Sequence, residues 1–162
     1  DIARGLPAGL GDFDAIFCMQ SFHCFGSKAS VIRYLASLLR PEGRICIAQG
    51  CFREEPDPLP ALFQETDGWP AEYEKYHSPR WWGNQFQTAG PFDVEVAREV
   101  PDGDILWEDD VVYRGGRARW SQDFLNRSAW LIRHIAHGRT NAPALTHCLV
   151  HAVKGKRKET SR

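Results

Sequence analysis

No run of about 18 apolar residues, the length a bilayer-spanning helix needs, occurs in this 162-residue chain, and no secretory signal is visible. A membrane-spanning role is therefore not expected. An excess of either charge is also lacking: 20 Lys and Arg stand against 21 Asp and Glu, a formal net charge of -1. Such a balance gives no general pull toward nucleic acid or membrane surfaces. The five cysteines are odd in number and contain no Cys-x-x-Cys pair. Reduced thiols in a cytoplasmic protein fit this better than a disulfide framework. Methionine is nearly absent, with Met19 the single example, and the chain opens on Asp1. A processed product, a trimmed chain or a fragment is expected.

What is present is one globular domain's worth of core, at 43% hydrophobic residues. Two short apolar runs, Ala15 to Met19 and Arg44 to Ala48, flank a segment in which Val31, Ile32, Leu35, Leu38 and Leu39 recur at helical spacing. The pattern predicts a strand, a crossover helix and a parallel strand. Ser27 is placed to cap the helix, Pro41 to stop it, and Gly43 to let the chain reverse into the next strand. In open sheets of this kind ligands lie beyond the carboxyl ends of the strands. Chemistry is thus expected around Met19 to Phe25 and Gln49 to Phe52.

Further along, Glu54 to Pro60 reads as an acidic, proline-rich loop, Leu59 to Phe63 as a helical turn, and Gly68-Trp69-Pro70 as another turn. Ser78 followed by Pro79 predicts a helix start, Trp81, Trp82, Gln85 and Phe86 lie within it, and Gly90 ends it. Phe92 to Ala97 alternates as an outer strand should. Trp120 to His137 has the apolar faces of a long helix, and Leu145 to Val153 reads as a last strand. In that strand Leu149, His151 and Val153 face one way and Cys148, Val150 and Ala152 the other.

The segments Phe13-Asp14-Ala15-Ile16, Ser21-Phe22-His23-Cys24-Phe25 and Leu38-Leu39-Arg40-Pro41-Glu42-Gly43-Arg44 together resemble the second half of a class I S-adenosylmethionine-dependent methyltransferase. That family has a strand beginning Phe-Asp, a Leu-His-His type segment, and Leu-Lys-Pro-Gly-Gly before the next strand. Here Phe-His-Cys and Pro-Glu-Gly take their places. The resemblance implies an α/β fold, the carboxyl-terminal half of a Rossmann-like methyltransferase, with a mixed sheet, a terminal antiparallel strand and helices on its faces. The strands would lie in the order first, second, fourth, third. Residues 1–154 would form a partial methyltransferase domain with an inserted helical segment at about 107–140, and residues 155–162 a basic, disordered tail.

The same resemblance implies S-adenosyl-L-methionine as cofactor and a small molecule as methyl acceptor. Asp1 and Ile2 would contact the adenine, Cys18, Met19 and Gln20 would lie under the cofactor, and His23 would be the general base, though a histidine after a strand in an aromatic setting is equally readable as a hydrogen-bonded structural residue. Tyr73, Tyr76, His77, Trp81 and Trp82 would shape the acceptor pocket, with Trp81 and Trp82 equally readable as core. The family's Gly-rich loop is not found, since Gly9-Leu10-Gly11 precedes a strand instead of following one. The strand from Phe13 would then need a missing N-terminal half, or a second copy in a homodimer, to cover its edge. Two other readings stay open. One is a non-catalytic methyltransferase-like module for dimerisation or partner binding. The other is a metal protein using Cys18, His23, Cys24, Cys46, Cys51, His147 and His151, whose spacing is poor for the purpose, so no metal site is expected.

Overall fold

The structure, a computed structural model, describes residues 10–57, 75–106 and 145–155. Tyr73, Asp1, Ile2, the turns at Leu59 to Phe63 and Gly68 to Pro70, the helical insert at about 107–140 and residues 156–162 of the tail lie outside them. Among the described residues the elements run β1 (Phe13–Met19), a four-residue 3-10 helix (Phe22–Phe25), α1 (Ala29–Leu38), β2 (Leu39–Phe52), α2 (Pro79–Ala89), β3 (Phe92–Glu99) and β4 (Leu145–Lys154). The four strands form one sheet in the order β1-β2-β4-β3.

Strand directions follow from the register. β1 and β2 are parallel, with Ile16 beside Ile45, Cys18 beside Ile47 and Met19 beside Ala48. Beside β3, the Val100 amide donates to the His147 carbonyl at 2.8 Å and the Gly155 amide donates to the Pro91 carbonyl at 2.7 Å. The end of β3 thus meets the start of β4 and the reverse, which makes the pair antiparallel. The same holds beside β2, where Lys154 Nζ donates to the Leu39 carbonyl at 2.5 Å and Arg44 Nη1 lies 3.2 Å from His151 Nε2. The sheet is mixed, and its last strand in sequence runs antiparallel between its two neighbours.

Two local expectations are corrected. The residue before α1 at its N-cap is Lys28, not Ser27, and it makes no side-chain cap bond. The helix starts one residue later than a Ser27 cap would require because Gly26, at φ 80 and ψ -178, still carries the chain in a conformation reserved for glycine. At the other end α1 stops at Leu38, before Arg40, the residue that Pro41 forces into extended backbone. β2 then begins at once. Its pairing with β1 slips there: β1 advances from Phe13 to Ala15 while β2 advances from Leu39 to Arg44, so Pro41-Glu42-Gly43 sits inside the strand as a bulge. Glu42, at φ 62, makes the reversal expected of Gly43. Gly43 serves close approach instead, because a Cβ there would lie 2.9 Å from the Arg40 carbonyl oxygen and 3.1 Å from that of Phe13.

The described residues belong to two compact units, with boundaries inside β2 and β4. The first comprises Asp1–Gln49, Arg80–Arg98 and Leu149–Arg162. Its core is built from alternation: Ile45 and Ile47 of β2 are buried with Ile32, Leu35 and Leu38 of α1 and Val150 and Ala152 of β4. Each Ile, Leu or Val side chain among them contributes about 1.5–3 kcal/mol on leaving water. An aromatic cluster continues this core, with Phe22 against Trp82 edge-on at 5.4 Å and Phe86 against Phe92 at 5.5 Å. α2 approaches β3 closely at Gly83, where a Cβ would meet that of Ala97 at 2.9 Å. The second unit comprises Gly50–Pro79 and Glu99–Cys148. In it Cys51 and Cys148 are both buried, and the Phe52 amide donates to the Tyr76 carbonyl at 3.0 Å.

Candidate functional site

In the first unit the carboxyl end of β1 is shaped by a break in the backbone. Gln20 takes φ 54, which turns the chain out of the strand while its amide still donates to the Ala48 carbonyl at 2.7 Å. The turn is held by Ser21, whose hydroxyl donates to the Met19 carbonyl at 3.2 Å and lies 3.2 Å from Cys18 Sγ. The Cys24 amide closes the 3-10 helix on the Ser21 carbonyl, and Gly26 ends it. Met19 is left 73% exposed and Gln20 is exposed beside it, so these two expected cofactor-side residues form an open shelf, while Cys18, next to Met19 in the strand, is half-buried on the opposite face. His23 follows in the 3-10 helix, half-buried, with Nδ1 screened from solvent.

The shelf carries no formal charge. Between Asp14 and Lys28, and again between Arg44 and Arg53, the sequence contains no Asp, Glu, Lys or Arg. An ion-pair ladder lies toward the other end of the sheet, while just past the carboxyl end of β2 Arg53 pairs with Glu99 at 2.9 Å. Arg44 Nη1 donates to Glu95 Oε2 at 3.2 Å and His151 Nδ1 lies 3.1 Å from the same oxygen, so one ladder crosses β2, β4 and β3. Arg40 pairs with Asp14 at 2.5 Å near the start of β1. On the carboxyl side, Gln49 is fully buried and neither atom of its side-chain amide has a hydrogen-bond partner among the described residues.

In the second unit a carboxylate and an imidazole form a pair that the sequence does not announce. His77 Nδ1 lies 2.6 Å from Glu55 Oε1, and Glu55 Oε2 accepts the Ser78 amide at 2.8 Å, just before α2 begins at Pro79. The carboxylate thus satisfies an amide at the helix start, where negative charge is favoured, and orients the ring. His147 is buried, and its Nδ1 lies 2.7 Å from the Gly103 carbonyl, to which it donates. The Cys51 thiol is pushed up from its ordinary value by its hydrogen bond with Cys148 and by burial. In the first unit, burial pushes up the Cys46 thiol.

The remaining expected acceptor-pocket residues are distributed as follows. Tyr76 is buried, and its carbonyl accepts the Phe52 amide; His77 is half-buried on Glu55. Trp82 is buried in the aromatic core, while half-buried Trp81 packs edge-on against it at 4.9 Å. Among the described residues no group of three or more His, Cys, Asp or Glu comes together to hold a metal ion, and no helix is long and apolar enough to cross a membrane.

These features define a class of fold: the chain has the architecture of the carboxyl-terminal portion of class I S-adenosylmethionine-dependent methyltransferases. Among solved structures it is similar to a Galdieria sulphuraria protein described as a sarcosine dimethylglycine methyltransferase, with a TM-score of 0.68 and 14% identity over 94% of this chain and 57% of that one. It is likewise similar to the geranyl diphosphate C-methyltransferase of Streptomyces coelicolor A3(2), bound to Mg2+, geranyl diphosphate and S-adenosyl-L-homocysteine, at a TM-score of 0.60 and 14% identity over 94% and 51%. A third, the cyclase SpnF, matches at a TM-score of 0.60 and 19% identity over 96% and 54%. The chain therefore spans a little over half the length of these three. No protein-family model matches the sequence, and no curated protein is similar enough to count as a relative.

Proposed function

We propose that the chain is the acceptor-side portion of a methyltransferase that uses S-adenosyl-L-methionine and a small-molecule acceptor. The observation that carries this reading is the sheet order with an antiparallel fourth strand, joined to an uncharged shelf at the carboxyl ends of the two parallel strands. The cofactor fits that shelf in kind, since Met19 and Gln20 are open to solvent and no formal charge beside them opposes a sulfonium. Cys18, Met19 and Gln20 would hold it there, with Asp1 and Ile2 on the adenine. S-adenosyl-L-methionine, when bound, supplies a methyl group already activated for transfer.

The protein's own part is then to orient the acceptor and to take up a proton where the acceptor atom carries one. His23 is assigned that proton, because it stands just past β1 and its 3-10 helix is fixed by Ser21 and Gly26. Tyr73, Tyr76, His77, Trp81 and Trp82 are assigned to the acceptor side, His77 with its ring set by Glu55 and Trp82 as a buried wall.

The surface of β1 supports a division of labour with further polypeptide. β1 has β2 as its only described strand neighbour, and Phe17 and Met19 are 75% and 73% exposed on one face. Additional strands and helices, such as the solved structures have room for in their greater length, would cover that edge and face. The same exposed strand favours a second reading, a partner-binding module without catalysis, and SpnF shows that this fold also carries a different reaction name.

Calorimetric titration with S-adenosyl-L-homocysteine, run beside a light-scattering mass, decides between them. Micromolar binding supports the cofactor site, and a mass of two chains would assign its completion to a dimer. No heat up to millimolar ligand leaves the module reading standing for this chain and sinks cofactor binding by the chain alone.

A further inference from the structure

Gln49, near the carboxyl end of the parallel pair, is a side chain for which burial and bonding disagree. It continues the face of β2 that carries Ile45 and Ile47, since side chains alternate along a strand, and like them it is buried. Both halves of its amide nevertheless lack a hydrogen-bond partner among the described residues. A buried amide donor or acceptor left unpaired keeps its full desolvation penalty, and methionine or leucine would fill the same space without it. A position that keeps the amide under this penalty is suited to a partner that arrives from outside.

The surroundings state what kind of partner. The uncharged segments Ala15 to Gln20 and Ile45 to Ala48 run side by side at this end of the sheet, and the aromatic cluster of Phe22, Trp82 and Phe86 belongs to the same unit. Arg40, Arg44, Glu95 and Asp14 are paired toward the amino ends of β1 and β2, and Arg53, just past the carboxyl end of β2, is already paired with Glu99 at 2.9 Å. A charged ligand group placed at Gln49 would lose its hydration without gaining a counter-charge. An uncharged group that both donates and accepts, such as a carboxamide or hydroxyl on an apolar body, would satisfy both halves of the amide.

We infer that Gln49 is the polar recognition point for the acceptor, and that it selects an acceptor bearing an uncharged donor-acceptor group on an apolar frame. This rests on the methyltransferase reading for the word acceptor, while the subsite itself rests on Gln49 alone. Because Gln49 is fully buried, binding there requires a rotamer change of the flexible glutamine side chain that brings the amide to the ligand.

The test uses the full chain and probes of known structure. The side-chain amide signals of Gln49 are assigned in an 15N-glutamine spectrum by their loss in Gln49→Met, and N-methylacetamide, adenosine, inorganic phosphate and tetramethylammonium are titrated separately. The expected result is a saturable shift with N-methylacetamide alone, with a dissociation constant on the order of 10 mM. Gln49→Met without ligand should melt about 3 °C higher, because the unpaired amide is gone. A lower melting temperature would show that the amide has an internal partner and would overturn the inference. A stronger response to adenosine would reassign the point to the cofactor and overturn the acceptor assignment, and a response to either ion would overturn the neutral-ligand claim. None of these titrations needs bound cofactor. Failure of S-adenosyl-L-homocysteine to bind therefore strikes the methyltransferase reading, and failure of N-methylacetamide strikes the subsite.

Discussion

β1 and β2 are parallel neighbours made of similar residues, yet they live in different solvents. Phe17 and Met19 of β1 are 75% and 73% exposed, while Ile45, Ile47, Cys51 and Phe52 of β2 are at most 1% exposed. The kinds of apolar residue do not separate them, since Phe, Ile, Cys and Ala occur in both strands. Position does: β2 has β1 on one side and β4 on the other, whereas β1 has β2 alone among the described residues. The contrast teaches that apolar character in a strand reports the burial it is built for, which β2 has in this structure and β1 has only in part.

The largest effect is expected at Ile47→Ala, where loss of a fully buried side chain should cost about 2–5 kcal/mol in urea unfolding. A loss below 1 kcal/mol would mean that β2 is not the core strand described.

Next comes pH. Cys51 has its thiol value raised in the folded chain above the ordinary 9.0. An acid so shifted keeps its proton in the folded state while the unfolded chain gives it up, so folding stability is full below the ordinary value and falls as pH rises through and beyond it. The slope is about 1.4 kcal/mol per pH unit for one thiol. Denaturation midpoints measured between pH 8 and 10 should show this decline, and Cys51→Val should flatten it; an equal slope in the variant would refute the assignment.

Glu42→Gly sharpens the contrast at the start of β2. Relief of φ 62 should stabilise the chain by about 1 kcal/mol, offset by whatever contact the carboxylate makes. A melting temperature that drops would show that contact to be the stronger term.

The smallest change is expected at Phe17→Ser. A side chain 75% exposed should move stability by no more than about 0.5 kcal/mol, and light scattering should show less association at high concentration. A cost above 1 kcal/mol would reveal that the face of β1 is already covered.

Much of the fold was legible because its signals are local. The strand, helix and strand from Phe13 to Phe52 follow from two apolar runs about one helical repeat, and the Ser78-Pro79 start and Gly90 stop bracket α2 at Pro79–Ala89. Alternation along β4 matches its burial, with Cys148, Val150 and Ala152 buried and Leu149, His151 and Val153 less so. The order of the strands came from likeness to a known architecture, because no local pattern encodes which strand lies beside which. Hidden from sequence were the positive φ values of Gln20 and Glu42, which no glycine marks, and the Lys28 start of α1. Glu55 and His77 lie 22 positions apart, and the intervening composition gives no reason to pair them. The isolation of the Gln49 amide was equally invisible, since lack of a partner is a property of packing and not of residue type.

The place of β4 between β2 and β3 has a consequence for the order of events during synthesis. β3 leaves the ribosome well before β4, yet among the described residues it has no strand neighbour except β4. Until Leu145–Lys154 emerges, β3 can rest on α2 through contacts such as Gly83 on Ala97 but has no ladder to join. Sheet completion therefore waits for the last strand, a long-range closure of the kind that slows folding and leaves strand edges open to wrong partners meanwhile. A chain stopped just short of Leu145 would lose two strands from the sheet, although only one had been removed.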